Sequence, residues 1–186
     1  MSLMLPQIPS LNYNLIKESL DYWIYYSYGK VRSYAQPYVS THFSANKVID
    51  NLYIGDFASA CNREELQKLG ITHVLTVVSG IGPIYPETFK YKNIDIGDTK
   101  SSCLNEHFSE CVEFIDEAIS NGGKVYVHCM CGISRSATIV ASYLIKKHKY
   151  CDQSAIDLIK MQRDCINPNE GFRLQLKSYY QLNKSD

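Results

Sequence analysis

The feature that most constrains this chain is a run whose hydrophobic period changes abruptly. Val125-Tyr126-Val127-His128 is followed by Cys129-Met130-Cys131-Gly132-Ile133-Ser134-Arg135-Ser136, and then by Ala137, Ile139, Val140, Tyr143 and Leu144. A β-branched apolar run, a Gly-containing loop and an apolar helical pattern read as a buried strand, a tight turn and a helix whose first turn crowns it. Helix N-termini leave backbone N–H groups unpaired and carry positive partial charge, so such a loop is a cradle for phosphate. Met130, Cys131, Gly132, Ile133 and Ser134 are the candidate substrate-binding positions, between Cys129 and Arg135 at the two ends.

Each residue type suits that cradle. A thiol ringed by amide dipoles and an arginine loses its proton more readily, and the thiolate is the competent nucleophile. Arg135 offers a planar fork that grips two phosphoryl oxygens at once. Gly132 lets the backbone turn so that N–H groups converge on one anion. Ser136 is placed to donate its hydroxyl to the sulfur and help a thiolate leave, and His128 to orient Cys129 by hydrogen bonding.

The His-Cys-x5-Arg-Ser run over 128–136 resembles the signature of the cysteine-based protein tyrosine phosphatases. Gly132-Ile133-Ser134-Arg135-Ser136-Ala137-Thr138 is similar to its dual-specificity branch, and the resemblance extends from about Val48 to Gln181. Asn51-Leu52-Tyr53-Ile54-Gly55 resembles the family's opening strand; Asn167 to Phe172 with Gln175-Leu176 resembles its closing helix. The resemblance implies a cofactor-independent protein phosphatase acting on phosphotyrosine and phosphoserine or phosphothreonine through a phosphocysteine intermediate. Its catalytic residues would be Cys129, Arg135, Ser136 and a loop aspartate as general acid, which matches Asp98. Asp95 is the competing carboxylate. It lies between Ile94 and Ile96 and is expected within a strand, whereas Asp98 follows Gly97 and enters a polar loop able to close over substrate. Phosphoinositide phosphatases of this superfamily usually carry lysines in the loop, and RNA 5′-phosphatases typically carry Asn-Arg-Thr where this chain has Ser134-Arg135-Ser136. A phosphopeptide-binding module with little turnover is a further alternative, although such modules generally lose the nucleophile.

The rest of the chain sets the context. Its 186 residues divide into a tyrosine-rich segment, 1–47, and a catalytic domain, 48–186. Seven of the 15 tyrosines precede Ser40, and Leu15, Ile16, Leu20, Trp23 and Ile24 recur at helical spacing, predicting a helix packed on the core. Strands are predicted over Val48 to Ile54, His73 to Val78 and Tyr91 to Ile96. Helices are predicted after Asn62, over Leu104 to Ser120, after Asp152 (carrying Ile156, Ile159 and Met161) and from Asn169 or Glu170. This alternation implies an α/β fold, a central, mostly parallel sheet with helices on both faces. Zero formal net charge argues against nucleic-acid or membrane partners and leaves a phosphoprotein substrate. Seven scattered cysteines point to a reducing compartment, the cytoplasm or nucleus, and His128, Cys129 and Cys131 lack the second ligand pair a zinc site needs. A monomer is expected. Cys131 is close enough in sequence to react with an oxidised Cys129, but reads first as an apolar filler. Arg163, before Asp164-Cys165, resembles a family arginine near the active site, and a surface arginine at a helix end explains it equally well.

Overall fold

The computed structural model describes residues 43–184; the expected N-terminal helix and the aromatic segment after it lie outside these. The chain opens with β1 (Ala45–Ile49) and β2 (Leu52–Gly55), an antiparallel pair. A single strand over Val48 to Ile54 is therefore corrected to a hairpin. Asp50-Asn51 forms the turn, with Asn51 at φ 64°, a left-handed conformation that asparagine tolerates better than most residues.

Helices α1 (Phe57–Ala60) and α2 (Arg63–Lys68) follow, then β3 (His73–Val77) and β4 (Lys90–Ile94). A 3₁₀ turn over Leu104–His107 leads into α3 (Phe108–Ser120), which delivers the chain to β5 (Val125–His128). Helices α4 (Arg135–His148), α5 (Asp152–Gln162) and α6 (Glu170–Asn183) complete it. Asn62 caps α2 by accepting from Glu65 N at 3.2 Å, as the sequence predicts. The α5 cap differs. Cys151 takes that position, its sulfur accepting from Ser154 N at 3.4 Å, and Asp152 is the first helical residue. Met161 is 80% exposed at the far end of α5, so Ile156 and Ile159, with Ala155, form its buried face without it.

The sheet order is β1-β2-β5-β3-β4, parallel throughout except for β1. Central β5 is fully buried. Register places Tyr53, Tyr126, Val74 and Tyr91 in one row across the sheet. That row packs with Ala60, Leu66 and Phe89, while alternate residues face α4, which packs on β2, β3 and β5. Helices therefore cover both faces of the sheet. Arg135 to Ile145 of α4 are all buried, since the helix is enclosed by α3, α5 and α6 as well as by the sheet. Its hydroxyls are satisfied internally: Thr138 Oγ1 donates to Ser134 O at 2.9 Å and Ser142 Oγ to Ile139 O at 2.8 Å. Parallel strands present their carboxyl ends along one edge, so the segments leaving β4 and β5 meet there.

Candidate active site

The 129–134 loop is shaped by where its carbonyls go. Cys129 O accepts from His128 Nδ1 at 3.2 Å, Met130 O from Phe57 N at 3.0 Å and Ile133 O from Asn167 N at 2.9 Å. Ser134 O takes Thr138 N at 3.0 Å, and Arg163 reaches the Cys131 and Gly132 carbonyls at 3.3 and 2.8 Å. In a planar trans peptide the N–H points opposite to the C=O. Carbonyls drawn outward therefore turn successive amides inward, which is an anion nest. Gly132 sits at φ 67°, and a Cβ there would lie 2.5 Å from Gly55 O and 2.7 Å from Arg163 Nη2. No other residue type fits both that conformation and that space.

Cys129 lies at the bottom, 1% exposed, and Ser136 Oγ donates to its sulfur at 3.3 Å. His128 beside it is fully buried, and desolvation pushes its pKa down to about 4. Neutral His128 donates from Nδ1 to the Cys129 carbonyl, so its Nε2 accepts from Thr76 Oγ1 at 2.9 Å. Stacked on Tyr126 at 5.7 Å, the ring fixes the cysteine's backbone, and its one N–H is committed to that carbonyl. Cys131 points to the exposed side of the loop, and its pKa is raised, chiefly by partial desolvation.

The guanidinium of Arg135 is pinned over the cradle. Its Nη1 donates to Ile96 O at 3.0 Å and its Nε lies 3.4 Å from Asp98 Oδ2. The other Asp98 oxygen, Oδ1, accepts from Ser134 Oγ at 2.8 Å and from Asn169 Nδ2 at 2.9 Å. Asp98 is thus brought into the constellation with Arg135 and Ser134. Asp95 is not: it accepts from Ser79 Oγ at 2.5 Å and Gly80 N at 3.2 Å, bracing the loop after β3. It also lies just beyond β4, which ends at Ile94, rather than within a strand, because the backbone past Ile94 leaves the ladder to carry Asp98 toward the cradle.

Sequence reasoning missed the partners of Asp98. Asn169 was legible only as one of two starts for the last helix; it is the cap, its Oδ1 accepting from Phe172 N at 3.0 Å. The same amide, through Nδ2, holds Asp98. Around it α6 fastens the loop that carries Asp98: Lys100 pairs with Glu170 at 2.6 Å, and Gln175 Nε2 donates to Ser102 O at 2.8 Å. Gly171 lets Lys100 O approach so closely that any Cβ would overlap it. Among the described residues no group of three or more His, Cys, Asp or Glu side chains is placed to hold a metal ion, and no helix is long and apolar enough to cross a membrane.

Comparison with known proteins points the same way. Residues 52–182 match the family model described as dual specificity phosphatase, catalytic domain. Over 134 residues the chain is 43% identical to dual specificity protein phosphatase 1B of Arabidopsis thaliana, covering 72% of this chain and 80% of that protein. It is 40% identical, again over 134 residues, to dual specificity protein phosphatase 22-A of Danio rerio, covering 72% and 64% respectively. The crystal structure of the human tyrosine phosphatase-like serine/threonine/tyrosine-interacting protein aligns with a TM-score of 0.72 at 34% identity, over 74% of this chain and 96% of that one.

Proposed function

The chain belongs to the dual specificity phosphatase family and is a cysteine-dependent protein phosphatase; from that premise we propose that it hydrolyses phosphotyrosine and phosphoserine or phosphothreonine through a phosphocysteine on Cys129. The observation that carries this reading is the convergence of Ser136 on the Cys129 sulfur, at 3.3 Å, with Asp98 beside Arg135, at 3.4 Å. In the first step the Cys129 thiolate attacks phosphorus while the inward amides of 130–134 and the Arg135 fork bind the equatorial oxygens. Asp98 protonates the departing oxygen. Its Oδ1 already accepts two hydrogen bonds, so the transferable proton sits on Oδ2, the oxygen facing Arg135. In the second step ionised Asp98 takes a proton from water attacking the phosphocysteine, and inorganic phosphate leaves. The Ser136 hydroxyl stabilises the thiolate that is expelled.

The substrate is a phosphoprotein, with aryl phosphates turned over fastest because phenols leave more easily than alkyl hydroxyls. Met130, Cys131 and Ile133 carry no charge, which supports a phosphoprotein over a phosphoinositide headgroup. All seven cysteines are unbridged, which supports a reducing compartment, cytoplasm or nucleus. The test is capture with Cys129→Ser, which keeps the amide cradle and Arg135. It should bind phosphotyrosine peptide without releasing phosphate, while the wild-type chain turns over phosphotyrosine and, more slowly, phosphothreonine peptides. Strict phosphotyrosine use would refute the dual range, and preference for a phosphoinositide headgroup would refute the substrate class. Phosphopeptide affinity in the wild-type chain without phosphate release would identify a binding module instead.

A further inference from the structure

Arg163 is 7% exposed, the kind of burial an arginine tolerates only when its donors are matched. Its Nε donates to Gly132 O at 2.8 Å and its Nη2 to Cys131 O at 3.3 Å. Nη1 reaches Ser44 Oγ at 2.6 Å and Asn46 Oδ1 at 2.8 Å, and Asp56 Oδ2 lies 3.6 Å from Nη2. Nε and one terminal nitrogen lie along one edge of the planar fork, so a single rigid edge spans two consecutive carbonyls. Those two peptide units carry the amides of Gly132 and Ile133.

From this arrangement, and resting on the reading that the loop holds a phosphoryl group on Cys129, we propose that Arg163 is a positioning residue for catalysis. It holds the Cys131 and Gly132 carbonyls outward and thereby aims the Gly132 and Ile133 amides at the phosphoryl oxygens. The 131–132 peptide is the vulnerable one, because Gly132 at φ 67° has no side chain to resist its rotation. A rotated unit would present a carbonyl to the anion in place of a donor. Asp56 continues the scaffold: its Oδ1 caps α1 through Ser59 N at 2.8 Å, and Phe57 N of that turn holds Met130 O at 3.0 Å. Three successive carbonyls are thus restrained from behind, and Arg163 alone holds two of them. A lysine keeps the positive charge beside Asp56 but cannot span both carbonyls along one planar edge.

The test uses the full chain, with vanadate as the oxyanion and an aryl phosphate as substrate. Arg163→Lys, and Arg163→Gln should the lysine variant not fold, are compared with wild type at a temperature where circular dichroism shows each fully folded. Loss of aimed donors should weaken vanadate binding and lower kcat/KM together, each by about 100-fold. A folded variant that binds vanadate within twofold of wild type would overturn the proposal and leave Arg163 a purely structural residue. Nitrogen-15 NMR of the wild-type chain needs no variant. Vanadate should move the Gly132 and Ile133 amide resonances strongly, and resonances that stay in place would overturn the proposal equally. A wild-type chain that neither binds vanadate nor cleaves the aryl phosphate would instead refute the cradle reading beneath it.

Discussion

The two halves of the site are built differently. The cradle is one unbroken stretch, Cys129 to Arg135, between a buried strand and a buried helix, and its chemistry is carried by its own backbone and the two residues at its ends. That stretch is braced from behind by Phe57, Arg163 and Asn167, but its reacting groups lie within it, whereas the acid loop faces it from outside. Asp98 owes its position to Ser134, 36 residues away, and to Asn169, 71 residues away, and the backbone around it is fastened to α6. A site that chemistry requires to be dense with donors can be written into one local motif. A carboxyl group that must face that motif from outside has to be held by whatever the fold brings near.

Four sets of variants probe that contrast. The largest effect belongs to the cradle: Cys129→Ser should reduce phosphate release to background while retaining phosphopeptide binding. Arg135→Lys should be severely impaired, because a point charge cannot replace a two-pronged grip; steady-state assays with an aryl phosphate check both. Next, Asp98→Asn should lower kcat on peptide phosphates by about 100-fold, and the defect should shrink as the leaving group becomes more acidic. Asn169→Ala probes the scaffold of the acid. It should give a smaller version of the same leaving-group dependence, about tenfold, because Ser134 still holds Oδ1, with about 1 kcal/mol of stability lost with the cap in denaturant titration. An Asn169→Ala defect independent of the leaving group would mean that α6 supports the fold and not the acid. Smallest is Asp95→Asn, which should leave activity and its leaving-group dependence unchanged. If it reproduced the Asp98 defect, the acid would be misassigned.

What was legible in the sequence follows the same division. Cys129, Gly132, Arg135 and Ser136 were readable as one cluster because they are neighbours in the chain, and the strand–loop–helix around them follows from a change of hydrophobic period. Asp98 was separable from Asp95 through Gly97, the expected strand position of Asp95 and the resemblance. The strand boundary that supported the choice lies earlier than expected, yet Asp95 is still tied elsewhere, by Ser79 and Gly80. Asn169 read as a possible helix start because helix-start signals are local, whereas its hydrogen bond to Asp98 depends on tertiary geometry. Arg163 was ambiguous for the same reason: a helix-end arginine gives no sequence signal for whether it faces solvent or the back of a loop. The β1–β2 hairpin was missed because Asp50-Asn51 lacks the glycine that usually marks a two-residue turn, although Asn51 adopts a left-handed backbone.

The most direct test of the account is to look for the phosphoryl group on the enzyme. Asp98→Asn should be mixed with an aryl phosphate whose leaving group is acidic enough to depart unaided, quenched within the first turnover, and mapped by mass spectrometry. Phosphorylation of Cys129 needs no acid with such a substrate, but its hydrolysis still needs Asp98 as base. A phosphoryl group should therefore accumulate on the peptide containing Cys129, and its decay should be slower than in the wild-type chain. A phosphoryl group found on a different residue, or rapid turnover by Asp98→Asn with Cys129 never modified, would contradict the phosphocysteine mechanism and the division of labour between cradle and acid loop.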